Sequence, residues 1–73
     1  MTNEEVIRLI EETLELESNT LNSETLLDDI LEFDSMGKLS VIVMADDEFD
    51  KKLTGEQMKK FKTVGDIVMF LNA

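Results

Sequence analysis

Apolar residues in this chain recur every three or four positions, and no segment alternates apolar with polar over a useful length. Such a pattern builds helices and leaves nothing from which to make a sheet. A first helix is predicted from Asn3 to Leu16, where Val6, Leu9, Ile10, Thr13 and Leu14 keep the i, i+3, i+4, i+7 spacing of one buried stripe. Thr2 followed by Glu5 fits a capping box, and the early acids suit the positive end of the helix dipole. A second helix is predicted to begin at Asp34 or Ser35, either of which can cap it, and to end at Phe49 or Asp50. A helical turn from Thr54 to Lys60 follows. The last helix runs from Val64 to Leu71, capped by Thr63, with Val64, Ile67, Val68 and Leu71 turned inward. The expected fold is all-α, a small four-helix bundle with a short third helix.

Between the first two helices lies a long connector, Glu17 to Phe33. Ser18-Asn19-Thr20 and Asn22-Ser23 are turn formers, but Leu21, Leu26, Leu27, Ile30, Leu31 and Phe33 are too apolar for a free linker. An ordered loop is expected, with a turn of helix near Glu24 to Leu31. At 73 residues the chain is read as a single domain, residues 1–73, with a small core.

The second helix is the least ordinary element. From Leu39 to Ala45 it is apolar over most of its circumference, broken only by Ser40. At about 100° per residue, Leu39, Val41, Ile42, Ala45 and Phe49 share one broad face, taken as the inward one. Met36, Ser40, Val43 and Asp47 fall on the other side. Met36 and Val43 then have no core to enter. Spacing alone is equally consistent with scattered surface residues and with a partner contact.

Charge narrows the choice of partner. Seventeen acids oppose seven bases, a net of −10. Residues 1–50 hold fifteen acids and two bases, a net of −13, while residues 51–73 hold two acids and five bases, a net of +3. A charge run is by default a solvated face, but this one converges on the start of the second helix. Such a field repels nucleic acid and anionic membranes and favours basic protein surfaces. Lysines 51, 52, 59, 60 and 62 are only a weak nucleic-acid signal, since no Arg accompanies them.

The chain has no Cys and no His, hence no disulfide framework, no thiolate nucleophile and no imidazole base or metal ligand. A calcium loop starting at Asp46 would need Gly where Lys51 stands and Glu where Gln57 stands, so no metal site is expected. Gly37, Gly55 and Gly65 stand too far apart for a phosphate loop. The segment Met1-Thr2-Asn3-Glu4-Glu5 lacks the basic start of a secretory signal, and no apolar stretch reaches membrane-spanning length. A monomeric cytoplasmic protein that is not itself an enzyme is the expectation.

One residue stands out. Ser35 follows the connector at the head of the second helix, between Asp34 and Met36-Gly37. With no His or neighbouring Lys, nothing in the chain can activate its hydroxyl, so any reaction there needs a base from another protein. Asp34-Ser35-Met36-Gly37 resembles the Asp-Ser-Leu signature of acyl carrier proteins, with Met in place of Leu. The resemblance extends to Val43-Met44-Ala45-Asp46-Asp47-Glu48-Phe49-Asp50 and to Thr63-Val64-Gly65-Asp66, and so covers nearly the whole chain.

This likeness implies that Ser35 is the attachment point for 4′-phosphopantetheine, transferred from coenzyme A by a separate magnesium-dependent phosphopantetheinyl transferase, the holo-synthase. The arm's thiol would then carry acyl groups as thioesters between enzymes of fatty-acid or specialised, polyketide-like synthesis. Asp34, Asp46, Asp47 and Glu48 would meet basic docking patches on those enzymes, and Met36 and Val43 would add apolar contact. By the same analogy Ile42, Ala45, Phe49 and Ile67 could line a cargo cavity, although ordinary core positions are the favoured reading of each, at roughly two to one. Ser40 and Lys38 depart from the acidity common in the family, as do Lys51 and Lys52, which implies a specialised carrier. The alternative is a small acidic interaction module in which Ser35 is a plain helix cap without a cofactor.

Overall fold

In the computed structural model, which describes residues 2–73, four helices follow in order: α1 (Asn3–Thr13), α2 (Ser35–Phe49), α3 (Gly55–Lys60) and α4 (Val64–Asn72). The all-α class and the order of elements match the sequence reading. Each helix begins at a side chain that accepts from its first turn: Thr2, Asp34, Thr54 and Thr63 respectively. In the three threonine caps the third helical residue (Glu5, Gln57 or Asp66) accepts the cap's own N–H in return, so two otherwise orphaned donors are satisfied.

α1 stops at Thr13 rather than at Leu16. Glu15 is left-handed at φ 61°; its N–H donates to the Glu12 carbonyl at 3.1 Å, and that of Leu16 donates to the Glu11 carbonyl at 2.8 Å. This is a Schellman closure, usually built on Gly. With Glu at the turning position and Leu14 and Leu16 still apolar, periodicity gave no warning.

α1 packs on both α2 and α4. Val6, Ile10, Val41, Ala45, Val64, Ile67 and Val68 form the driest part of the core, each buried aliphatic side chain of Val or Ile size contributing roughly 1.5–3 kcal/mol. The α4 stripe is the predicted one. The α1 stripe is shifted: Ile7 and Glu11 are buried beside Val6 and Ile10, while Leu9 and Thr13 are only half-buried.

The connector is ordered, its helix reduced to one 3₁₀ turn at Leu27–Asp29. Two sets of bonds hold it. The buried Glu11 carboxylate accepts the Leu21 N–H at 2.8 Å, with Arg8 Nη1 at 3.4 Å from its other oxygen. At the far end the N–H groups of Leu27, Val64 and Gly65 donate to the carbonyls of Lys62, Thr25 and Ser23, each at 2.9 Å. These bonds include an isolated antiparallel bridge between Leu26 and Thr63, a single pairing rather than a strand. Gly65 permits the approach, since a Cβ there would lie 2.7 Å from the Ser23 carbonyl oxygen. Among the described residues no helix is long and apolar enough to cross a membrane.

Candidate functional site

The position of Ser35 is set by the end of the connector. Ile30 and Phe33 are buried, and the Phe33 N–H donates to the Ile30 carbonyl at 3.1 Å, so the chain enters α2 from a fixed direction. Gly37 completes the clamp. A Cβ there would sit 2.1 Å from the Glu32 carbonyl oxygen and 3.0 Å from Leu14 Cδ2, so only glycine lets the connector cross the first turn of α2 this closely.

The cap that the sequence left open between two residues falls to Asp34, whose Oδ1 accepts the Gly37 N–H at 3.0 Å. Ser35 becomes the first helical residue, exposed, with its hydroxyl not engaged in capping. The reading of Ser35 as the N-cap is therefore corrected, and with it the premise of the plain interaction module. An exposed hydroxyl at the positive end of a 15-residue helix suits a group linked through phosphate, because the dipole favours negative charge there.

The outer face of α2 differs from the predicted one. Gly37, Val41, Met44 and Ala45 face the core, with Ile42 and Phe49 half-buried at its edge. Leu39, expected inside, is 60% exposed and joins Met36 at 77% and Val43 at 51%. These three stand at i, i+3 and i+7, a continuous apolar line leading away from Ser35. Exposed Asp46 and Asp47 extend it. Glu48 is also exposed but stands, with Asp47, at a cleft beside Leu9 and Glu12 of α1. Leu39 is the residue that sequence reasoning missed. Its one available signal was Gly37, the residue small enough to go under the connector, which fixes the inward face four residues before Val41.

Of the four residues named for a cargo cavity, two follow the favoured ordinary-core reading. Ala45 and Ile67 are fully buried in the packed core, and Ile42 faces an open groove of about 340 Å³ with Lys52 and Leu53. Two clefts instead flank the head of α2. One, of about 290 Å³, is edged by Glu15, Glu32 and Asp34. The other, of about 330 Å³, has a floor of Leu27, Ile30, Phe33, Met58 and Phe61 and a rim of Asp28, Lys38 and Lys59. Lys51, one of the departures noted above, is held structurally: its ammonium donates to the Ala73 carbonyl and lies 5.6 Å from the centroid of the Phe70 ring.

Comparison with known proteins agrees with this geometry. Residues 4–71 match the family described as the phosphopantetheine attachment site. An acyl carrier protein from Micrococcus luteus is 31% identical over 64 residues, 88% of this chain and 79% of its own. The meromycolate extension acyl carrier protein of Mycobacterium leprae is 29% identical over 75 residues, 97% of this chain, which spans 65% of that relative's length. In fold, the solution NMR structure of a holo acyl carrier protein from Geobacter metallireducens matches with a TM-score of 0.78 at 24% identity, covering 97% of this chain and 82% of that one.

Ser18, Ser23 and Ser40 are exposed as well, but Ser35 is the serine at a helix N-terminus, freed from the cap by Asp34. The chain belongs to the acyl carrier protein family, whose covalent cofactor is 4′-phosphopantetheine.

Proposed function

We propose that residues 1–73 act as one carrier domain, modified at Ser35 and shuttling acyl groups between the enzymes of a lipid or specialised biosynthetic route in the cytoplasm. The observation that carries this reading is the division of labour at the head of α2: Asp34 caps the helix, and Ser35 is left exposed. A phosphopantetheinyl transferase would supply the base and magnesium that this chain lacks. An O–P bond forms to the Ser35 oxygen, 3′,5′-ADP leaves coenzyme A, and the hydroxyl proton passes to the transferase. Once attached, the arm supplies the thiol on which cargo travels as a thioester.

The chain's own residues orient and present. Gly37 and Phe33 fix the direction of Ser35, and the α2 dipole favours the phosphate. Met36, Leu39 and Val43 would give a docking enzyme an apolar contact, and Asp34, Asp46, Asp47 and Glu48 would steer basic patches toward it. Steering raises encounter rates more than affinity, which suits a shuttle that must release its partner. Lys38 and Ser40 interrupt this acidic field near Ser35 and support a carrier serving one route's enzymes.

Intact mass tests the assignment. Incubation with coenzyme A, magnesium and a broad-specificity transferase should add one phosphopantetheine to the wild type and none to Ser35→Ala. The variant keeps the Asp34 cap and should stay folded. No addition to folded wild-type protein by several transferases would overturn the reading.

A further inference from the structure

The two clefts beside the head of α2 carry opposite charge. The cleft edged by Glu15, Glu32 and Asp34 has no cation on its rim. The other sets Lys38 and Lys59 against one carboxylate, Asp28, although acids outnumber bases seventeen to seven over the whole chain. Among the described residues the one salt bridge is Arg8–Glu11, so neither lysine is neutralised by an ion pair. Lys38 is also held in place. Its ammonium lies 5.7 Å from the centroid of the Phe33 ring, which forms part of the cleft floor. Lys59 lines the same cleft from α3.

Position ties this cleft to Ser35. Lys38 is three residues along the same helix, a rise of about 4.5 Å and a rotation that puts it on the neighbouring side. At about 330 Å³ the cleft is at the small end of the roughly 300–1,000 Å³ range of ligand sites, which suits a short chain. Apolar side chains, mostly buried, underlie it, and α2 and α3 each contribute a lysine to its polar rim.

From this we infer that the α2–α3 cleft receives a short acyl cargo whose far end carries a carboxylate, with the methylenes on Phe33, Met58 and Phe61 and the carboxylate at Lys59. The acidic cleft on the other side repels the same group, so the charge pattern orients the cargo as well as holding it. This inference rests on attachment at Ser35.

The test compares two cargoes of equal chain length, glutaryl and valeryl, loaded from their coenzyme A thioesters by a transferase, with unloaded holo-protein as reference. Intact mass is read first, and failure to load would overturn the Ser35 assignment rather than the cleft. On loaded protein, amide shifts report occupancy. Glutaryl should displace the signals of Ile30, Phe33, Lys38, Met58, Lys59 and Phe61 relative to valeryl and to the unloaded arm.

Lys59→Glu should lower that occupancy by roughly two- to fivefold, the scale of an exposed ion pair, whereas Lys60→Glu, outside the cleft, should not. The amide spectrum of each unloaded variant verifies its fold. The inference is overturned by equal displacements with glutaryl and valeryl, by displacements at Glu15, Glu32 and Asp34 instead, or by indifference to Lys59→Glu. Equal displacements already present with the unloaded arm would assign the lysines to its phosphate and also overturn it.

Discussion

α4 and α2 are both rich in apolar residues, and they use them differently. In α4 the apolar stripe of Val64, Ile67, Val68 and Leu71 is no more than 2% exposed at any position. In α2 only one side is covered, by Gly37, Val41, Met44 and Ala45, while Met36, Leu39 and Val43 stay in solvent. Most apolar residues of α4 are consumed by folding, with Phe70 half-buried and Met69 alone left in solvent at 72%. Those of α2 exceed what the core can take, and the surplus lies in line with Ser35. An apolar count above the needs of packing thus marks the working helix, and the contrast can be tested by truncating each set.

The largest effect is expected in α4. Ile67→Ala should lose about 2–5 kcal/mol of stability, the usual cost of opening a cavity at a site with no exposure. Leu39→Ala should stay within about 0.5 kcal/mol of wild type while slowing modification by the transferase. Urea or thermal unfolding measures the first quantity, and a timed mass assay the second. If Leu39→Ala proved as destabilising as Ile67→Ala, the outward line would be part of the core and the contrast would fail.

A second comparison lies within the glycines. Gly37→Ala forces a Cβ to 2.1 Å from the Glu32 carbonyl oxygen, so the connector must shift. A loss of about 1–3 kcal/mol is expected, typical of overpacking, together with slower loading at Ser35 because the connector aims that residue. At Gly55, where an added Cβ meets nothing within 4 Å, alanine should cost nothing. Equal stability of the two variants in unfolding experiments would show that the connector does not clamp α2.

These contrasts explain what the sequence could and could not reveal. The α4 stripe was legible because Val64, Ile67, Val68 and Leu71 keep the helical spacing and Thr63 marks its start. The Asp34–Ser35 neighbourhood was legible as a motif, but which residue capped the helix was not, since both types cap well and the choice depends on where the connector arrives. On α2 the inward face was hidden because apolar residues surround the helix, so Leu39 was turned the wrong way. Glu11 was hidden for the opposite reason. A carboxylate is ordinarily exposed, and its burial follows from a single long-range partner, the Leu21 N–H, which no local pattern encodes. Periodicity reads helices that have one environment and fails for those that have two.

The smallest expected effect concerns the ends of the helices. Asp66 accepts the N–H groups of Lys62 at 2.8 Å and Thr63 at 3.1 Å, and these bonds hold its carboxyl below the ordinary value of 3.8. Glu5 is lowered in the same way by its bonds with Thr2. A carboxylate depressed by folding contributes stability that is fully present above its unfolded value and is lost as pH falls through the folded one. Asp66→Asn keeps an acceptor and removes the charge. The wild type should therefore melt above this variant at neutral pH, and the gap should close as pH drops from about 4 through the lowered folded value. Because the bonds tie α4 to the end of the connector's bridge, the gap belongs to the folding helix and not to the working one: Ser35 should load at the same rate in both proteins. A gap constant from pH 7 down to pH 2 would mean that the side-chain charge plays no part in holding the head of α4.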